Sequence, residues 1–141
     1  MSQLHDLLHW YSTLTPASVK EAGRFYQNNA RFKDPFNDVI GIPAIEAIFE
    51  HMFKTTQNPR FIIGDVIEQG QQAFVTWVFE FRLKGKDYKI VGGSHLQFDE
   101  TGLVTLHRDY WDAAEELLQK LPLVGGPIRW LRRQFRVETT Q

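Results

Sequence analysis

From Arg60 onward, the sequence alternates between apolar and polar residues in segments that short turns separate. This alternation is the pattern of strands that have one buried face. Val75, Trp77, Phe79 and Phe81 share one face of the second segment, with polar residues on the other. Because turns of a few residues join antiparallel neighbours, the pattern predicts an antiparallel meander. The predicted strands are residues 60–68, 72–83, 88–98 and 103–111.

Helical periodicity precedes the meander, and Pro16 and Pro43 stand where first helical turns are expected. The predicted stripes are Leu4, Leu7, Leu8, Tyr11 and Leu14 in a first helix, Val19, Ala22, Phe25 and Tyr26 in a second, and Ile45, Ile48, Phe49, Met52 and Phe53 in a third. Residues 30–34 are predicted to be extended. This piece is expected to end at Asp34, because Pro35 disfavours the helical conformation for the residue before it.

Helices followed by a meander predict an α+β fold: a curved antiparallel sheet with the N-terminal helices packed over its concave face. The 141 residues fit one domain, residues 1–121, with residues 122–141 as a C-terminal extension. Three helices do not fill the curve of such a sheet. A mostly apolar pocket that takes an apolar small molecule is therefore expected inside it.

The composition excludes several classes of protein. The chain has no cysteine, which excludes a disulfide scaffold, a cysteine zinc site and a thiol nucleophile. Most of the sequence is mildly acidic, so a nucleic-acid partner is not expected. It has no apolar run of membrane-spanning length and no secretory leader pattern, which predicts a cytoplasmic location.

The C-terminal extension is predicted to contain a basic amphipathic helix. Asp112 is predicted to cap a helix that runs to about Leu121, before a loop from Pro122 to Pro127. Beyond the loop, apolar residues alternate with four arginines. Such a helix can lie on an anionic membrane surface, but packing across the domain or a dimer is the favoured interpretation. The arginines are Arg129, Arg132, Arg133 and Arg136.

Four segments together resemble the SnoaL-like branch of the nuclear transport factor 2-like superfamily, which also contains ketosteroid isomerase. They are residues 30–36 (ARFKDPF), 41–45 (GIPAI), 93–99 (GSHLQFD) and 107–111 (HRDYW). The resemblance implies a cone-shaped α+β fold. It also implies a homodimer through the convex face of the sheet. Members of the superfamily include isomerases, cyclases, dehydratases, epoxide hydrolases and non-catalytic dimer domains, so the resemblance leaves the activity open.

Comparison with ketosteroid isomerase implies roles for three residues. Asp34, in Lys33-Asp34-Pro35, stands in the place of the general base, and Tyr11 stands in the place of the tyrosine that polarises the carbonyl group. Ser94 replaces the second acid of the oxyanion hole. A serine hydroxyl can donate a hydrogen bond, but less strongly than a neutral carboxylic acid.

The last predicted strand offers a second acid. His107, Asp109 and Trp111 share one face of it, and Asp109 resembles the acid/base aspartate of SnoaL-like cyclases. In an aromatic pocket, burial raises the pKa of an aspartate, which suits proton abstraction next to a carbonyl group.

Each candidate also has a structural interpretation. Asp34 could be a turn residue, Asp109 could pair with an arginine, and Tyr11 could be packed core. His95 is interpreted as structural, and the role of His107 is open. His5 and His9 have helical spacing, but a catalytic zinc needs three protein ligands, so no metal or cofactor is expected. Gly92-Gly93 is predicted to form a strand bulge.

The leading functional hypothesis is proton transfer, without a cofactor, on an apolar cyclic or polyketide-like carbonyl compound. Asp34 or Asp109 is the base, while Tyr11 and Ser94 polarise the carbonyl oxygen. The expected ligand contacts are Ser94, His107, Trp77, Phe79, Phe98 and Trp111. The alternative is a non-catalytic ligand-binding or dimerisation domain. The two hypotheses differ in whether Asp34 and Asp109 face one cavity, because buried carboxylates are costly without a role.

Overall fold

A computed structural model describes residues 2–112 and residue 137 of the chain. The helices are α1, Ser2–Ser12, a 3₁₀ helix, Ser18–Arg24, and α2, Ile42–Thr55. The strands are β1, Tyr26–Lys33, β2, Asp38–Ile40, β3, Gln57–Gln69, β4, Gln72–Leu83, β5, Lys86–Phe98, and β6, Val104–Asp112. The predicted α+β class is confirmed. No described helix is long and apolar enough to cross a membrane.

The described strands form one six-stranded sheet in the order β2-β1-β6-β5-β4-β3. The predicted meander is confirmed from β3 to β6, where each neighbouring pair is antiparallel. The prediction of a wholly antiparallel sheet is wrong, because β1 pairs with β6 in parallel. Local alternation defines single strands, whereas this pairing joins the first strand to the last and leaves no short-range signal.

One face of the sheet is buried by the helices. The alternating β4 residues Val75, Trp77 and Phe79 are buried on this inner face. The core above them includes Tyr11 of α1 and Phe49 of α2. The Tyr11 ring contacts both the Phe49 ring and the Phe61 ring of β3. The other side of the sheet is called the outer face. The two helices and the inner face therefore enclose the space in which a site can form.

The second predicted helix is shorter than expected. Its apolar residues Val19 and Ala22 are buried in the 3₁₀ helix, but Tyr26 begins β1 instead of continuing the helix. Tyr26 pairs with Val104 of β6, and the carbonyl oxygen of Phe25 accepts a hydrogen bond from the Val104 N–H. Aromatic residues fit strands well, so pairing with β6 overrides the helical spacing here.

Gly92 and Gly93 do not form the predicted bulge. The β4–β5 register runs without a shift through both residues, with Trp77 opposite Gly92 and Thr76 opposite Gly93. A Cβ atom on Gly92 would lie 2.6 Å from the Trp77 ring, and one on Gly93 would lie 2.7 Å from the Phe74 ring. The glycines therefore make room for aromatic side chains on the neighbouring strand.

The predicted C-terminal helices, the loop between them and the membrane contact lie outside the described residues. So does most of the predicted 122–141 extension. Val137 is described, and its N–H donates to Oδ1 of Asn37, 2.8 Å away. This bond fixes one point of the C-terminal segment beside the loop that follows β1.

Candidate active site

A chain of hydrogen bonds converges on Asp109 at the inner face. His107 and Asp109 lie two residues apart on β6, so both side chains point to the same face. Nε2 of His107 is 2.6 Å from Oδ1 of Asp109. Ser94 lies directly opposite Asp109 on β5, and its hydroxyl donates to the same Oδ1 over 2.5 Å. The Trp77 indole N–H in turn donates to Ser94 Oγ over 2.9 Å.

Two tyrosines continue this chain on the other side of the imidazole. The hydroxyl of Tyr11 is 2.6 Å from Nδ1 of His107, and the hydroxyl of Tyr26 is 2.7 Å from the same atom. The two hydroxyls also contact each other. Burial raises the pKa of both tyrosines well above the ordinary value. The phenols therefore keep their protons at neutral pH and serve as hydrogen-bond donors.

Asp34 directly follows β1, as predicted, and is buried. Its Oδ1 accepts hydrogen bonds from the backbone N–H groups of Phe36 and Asn37, and the Asn37 amide donates to both carboxyl oxygens. Burial is the largest cause that raises the pKa of Asp34 to about 6, and the charge of Asp109 adds to it. The hydrogen bonds from Phe36 and Asn37 oppose the rise. Asp34 is therefore a turn residue whose carboxyl group is also buried, and its role as an acid stays a prediction.

Two small cavities lie against these groups. The inner cavity, about 20 Å³, has room for one water molecule. The Asp34 cavity is about 50 Å³. The inner cavity is lined by Leu8, Tyr11, Phe49, Phe61, Ile63, Val75, Trp77, Ser94, Leu96, His107 and Asp109. The Asp34 cavity is lined by Phe32, Asp34, Ile48, Phe49, His51, Met52, Phe61, Phe79, Asp109 and Trp111. Asp109, Phe49 and Phe61 belong to both.

Most of the predicted site residues lie at these cavities. Asp109, Tyr11, Ser94, His107 and Trp77 line the inner cavity, whereas Asp34, Phe79 and Trp111 line the other. Phe98 is buried in the core and lines neither of the two. Ser94 was expected to donate to a ligand carbonyl, but its hydroxyl donates to Asp109.

Two further histidine hypotheses concern residues outside these cavities. His95 lies opposite the exposed Phe74 on the outer face and contacts Gln72, with its Nε2 3.0 Å from Oε1. His5 and His9 are exposed on α1. Among the described residues, no three histidine, aspartate or glutamate side chains are grouped to hold a metal ion.

Sequence reasoning missed two residues of this site. Tyr26 has helical spacing with Ala22, so its interpretation as a helix residue hid its place beside β6. Asn37 was overlooked because it follows Asp34-Pro35, where a loop asparagine is ordinary. The spacing of three residues from Asp34 to Asn37 is the one signal that could have identified it. An aspartate can accept hydrogen bonds from groups two and three residues later.

The arrangement is suited to proton transfer. Oδ1 of Asp109 accepts two hydrogen bonds, whereas its Oδ2 accepts none from the described residues. A carboxylate oriented through one oxygen can use the other as a base. Tyr11 lines the same apolar cavity, so its hydroxyl can polarise an oxygen that enters there.

Comparison with known proteins identifies the family. The family model of the SnoaL-like domain matches residues 7–107, from the middle of α1 to the first half of β6. The chain belongs to the SnoaL-like family. Comparison with curated protein sequences gives no match.

Solved structures share the fold of this SnoaL-like protein at low sequence identity. A nuclear transport factor 2-like protein of unknown function from Burkholderia pseudomallei K96243 is 14% identical, with a TM-score of 0.71 over 82% of this chain and 94% of that one. A protein from Jannaschia sp. CCS1, provisionally named a SnoaL-like polyketide cyclase, is 13% identical, with a TM-score of 0.68 over 78% and 85%. A protein from Agrobacterium tumefaciens C58, provisionally named an isomerase of the SnoaL-like family, is 18% identical, with a TM-score of 0.64 over 79% and 99%. The chain therefore has the ketosteroid isomerase-like fold that the sequence predicted.

Proposed function

We propose that this SnoaL-like protein is an acid–base enzyme of the isomerase or cyclase type. Asp109 removes a proton from the carbon next to the carbonyl group of a small apolar compound. The carbon–hydrogen bond breaks, an O–H bond forms on Oδ2 of Asp109, and the electron pair moves to the carbonyl oxygen. Return of a proton to another carbon completes an isomerisation. The single observation that carries this proposal is that two donors hold Oδ1 of Asp109 at the wall of two apolar cavities.

Tyr11 supplies the second element of the mechanism. Negative charge develops on the carbonyl oxygen in the transition state, and a positioned donor stabilises it. Tyr11 lines the inner cavity, and its hydroxyl keeps its proton and can donate it to a hydrogen bond. Ser94 and His107 act through Asp109, because both donate to its Oδ1.

Asp34 is the second acid of the proposed reaction. It shares a cavity with Asp109, and its pKa of about 6 leaves a fraction of it protonated near neutral pH. We infer that its protonated form gives its own proton to the second carbon, and that the proton on Oδ2 of Asp109 then passes to Asp34 across the shared cavity, which restores both carboxyl groups. The two carboxyl groups face one cavity, which favours the enzyme over a non-catalytic ligand-binding domain, since a binding site for an apolar ligand gains nothing from two buried acids.

The cavity volumes favour a small, flat substrate. Together they hold only a few atoms, and Phe49 and Phe61 border both. Phe61 is half-buried on the edge strand β3, and its ring packs against Trp77 and Phe79. Five-membered and six-membered cyclic ketones are therefore the first compounds to test.

Hydrogen–deuterium exchange tests the proposal without knowledge of the natural substrate. Cyclopent-3-enone and cyclohexanone are incubated with the protein in D₂O, and loss of the proton next to the carbonyl group is followed by NMR. We expect Asp109→Asn to lower the exchange rate about 10²–10⁴-fold, the usual contribution of a general base. Asp65→Asn, at an exposed position on β3, is the matched control and should exchange at the wild-type rate. Equal rates in the wild type and in Asp109→Asn would contradict the proposal.

We further propose that the protein forms a homodimer through the outer face of the sheet. Several apolar side chains are exposed there, and the Phe74 and Tyr110 rings lie 6.4 Å apart on neighbouring parts of it. Exposed apolar patches of this kind mark interaction surfaces. The cytoplasmic location predicted from the sequence stays a prediction.

A further inference from the structure

The buried hydrogen bonds that run from Trp77 to His107 have donor and acceptor roles that can be assigned one after another. The indole of Trp77 can only donate. Ser94 Oγ accepts from it over 2.9 Å, so the Ser94 proton is directed to Oδ1 of Asp109. As a carboxylate, Asp109 can only accept. Nε2 of His107, 2.6 Å from the same oxygen, must therefore carry a proton.

This polarity leaves one acceptor for two tyrosines. In a neutral imidazole with its proton on Nε2, Nδ1 has a single lone pair in the plane of the ring. The hydroxyl oxygens of Tyr11 and Tyr26 lie 2.6 Å and 2.7 Å from it and contact each other. Only one of the two phenol protons can point at Nδ1. In the ligand-free protein the other can point at the neighbouring hydroxyl oxygen, and a ligand oxygen would compete for it there.

The surroundings of Tyr11 and Tyr26 differ, and this difference indicates which of the two donates to Nδ1 of His107. Tyr26 is 1% exposed, belongs to β1 beside β6, and lines neither described cavity. Its ring is nearly parallel to that of His107, with an interplanar angle of 8°. Tyr11 belongs to α1 and lines the inner cavity, where a ligand oxygen could reach its hydroxyl.

We propose that Tyr26 is a positioning residue: it donates to Nδ1 of His107, fixes the imidazole as the Nε2–H tautomer that donates to Asp109, and leaves the Tyr11 proton for the ligand. The part that concerns the ligand rests on the proposed function, whereas the tautomer and the Tyr26–His107 bond do not. His107 then acts as the link between a tyrosine of β1 and the carboxylate of β6. Loss of the Tyr26 hydroxyl would divert the Tyr11 proton to Nδ1 and away from the ligand.

NMR on the ligand-free protein tests the first part. Histidine is labelled with ¹⁵N, and the spectra are recorded at pH 8, where an ordinary histidine is neutral. The His107 signals are assigned from their loss in His107→Gln. We expect His107 to be the Nε2–H tautomer. We also expect a hydrogen-bonded phenol proton that correlates with Nδ1. This signal should persist in Tyr11→Phe, whereas in Tyr26→Phe a signal from the Tyr11 proton should replace it. A proton on Nδ1, or a correlated phenol proton that belongs to Tyr11, would overturn the proposal.

The exchange of cyclopent-3-enone tests the second part. We expect Tyr11→Phe to slow exchange about 10²–10³-fold, as for loss of an oxyanion donor, and Tyr26→Phe to slow it about tenfold or more. The losses in the double variant should be less than additive, because part of the Tyr26 effect passes through the Tyr11 proton; fully additive losses would overturn this role. Tyr110→Phe, on the outer face, is the matched control for loss of a phenol. If the wild type does not exchange the ketone, the proposed function fails while the NMR result still decides the Tyr26–His107 bond.

Discussion

Asp34, in the loop after β1, and Asp109, on β6, line the same cavity, and the charge on Asp109 adds to the burial that raises the pKa of Asp34 to about 6. This places two acids with different surroundings at one site. Asp34 is held by a loop asparagine and two backbone N–H groups, whereas Asp109 is held by His107 and Ser94. Pairs of carboxyl groups whose environments differ in this way can divide acid and base roles.

The raised pKa of Asp34 predicts a pH-dependent stability that Asp34→Asn removes. Below pH 3.8 the carboxyl group is protonated in both the folded and the unfolded state. Between 3.8 and about 6 the folded state binds more protons, so the free energy of unfolding falls as the pH rises, and above 6 this effect is constant. Over this interval the free energy of unfolding falls by roughly 3 kcal/mol, since each pKa unit is worth about 1.4 kcal/mol.

Urea unfolding of the wild type and Asp34→Asn from pH 4 to pH 8 measures this effect. The difference in unfolding free energy between the two proteins should shift in favour of the variant as the pH rises to about 6, and then stay level. Asp65→Asn, an exposed control, should follow the wild-type curve. A difference that does not depend on pH would contradict the raised pKa.

Removal of the charge on Asp109 should lower the pKa of Asp34. Burial is the larger cause, so in Asp109→Asn the pKa of Asp34 should fall below 6 but stay above the ordinary value of 3.8. Titration of the carboxyl carbons by NMR measures both proteins, and Asp65→Asn again serves as the control. An unchanged Asp34 titration in Asp109→Asn would mean that the two groups do not interact.

The sequence predicted the elements of this site better than their assembly. Alternation identified β4 and β6, and the resemblance to the family singled out Asp34, Tyr11 and Asp109. Contacts between distant elements could not be derived in the same way. The Tyr26–His107 bond depends on the parallel pairing of β1 with β6, and neither strand records its partner in its own pattern.

The sequence also could not predict which group the Ser94 hydroxyl donates to. The resemblance to ketosteroid isomerase put Ser94 in the place of an acid of the oxyanion hole, which predicted a donor to the ligand. Its hydroxyl instead donates to Asp109, because the Trp77 indole donates to its oxygen from the opposite strand. Cross-strand register decides this outcome, and register is fixed by the whole sheet.

Gly92→Ala should displace Trp77 and weaken the hydrogen bonds that join Trp77, Ser94 and Asp109. The added Cβ would lie 2.6 Å from the Trp77 ring and 2.6 Å from the Tyr110 carbonyl oxygen, so the backbone or the ring must move. Overpacking of this kind costs about 1–3 kcal/mol. Urea unfolding measures the loss, and the Trp77 indole N–H signal should shift as its bond to Ser94 changes.

Gly23→Ala is the matched control for Gly92→Ala. Gly23 lies in the 3₁₀ helix, and its added Cβ would meet the Ile42 side chain at an ordinary distance of 3.7 Å. We expect little loss of stability there. If Gly92→Ala were as stable as Gly23→Ala, with an unchanged Trp77 signal, then space for Trp77 would not explain the glycine.

Charge on the outer face should dissociate the proposed homodimer. Phe74 is 37% exposed on that face, near Tyr110, and a carboxylate in its place would be buried in the proposed dimer interface. We expect wild-type protein to sediment as a dimer and Phe74→Glu as a folded monomer. Val66→Glu is the matched control, because Val66 is 42% exposed on β3 but pairs with the inner-face residue Val75, on the opposite side of the sheet. Sedimentation velocity distinguishes monomer from dimer. A monomeric wild type would contradict the proposed homodimer, and a dimeric Phe74→Glu would mean that the interface is not at Phe74. Dissociation by Val66→Glu alone would place the interface on the inner side of β3.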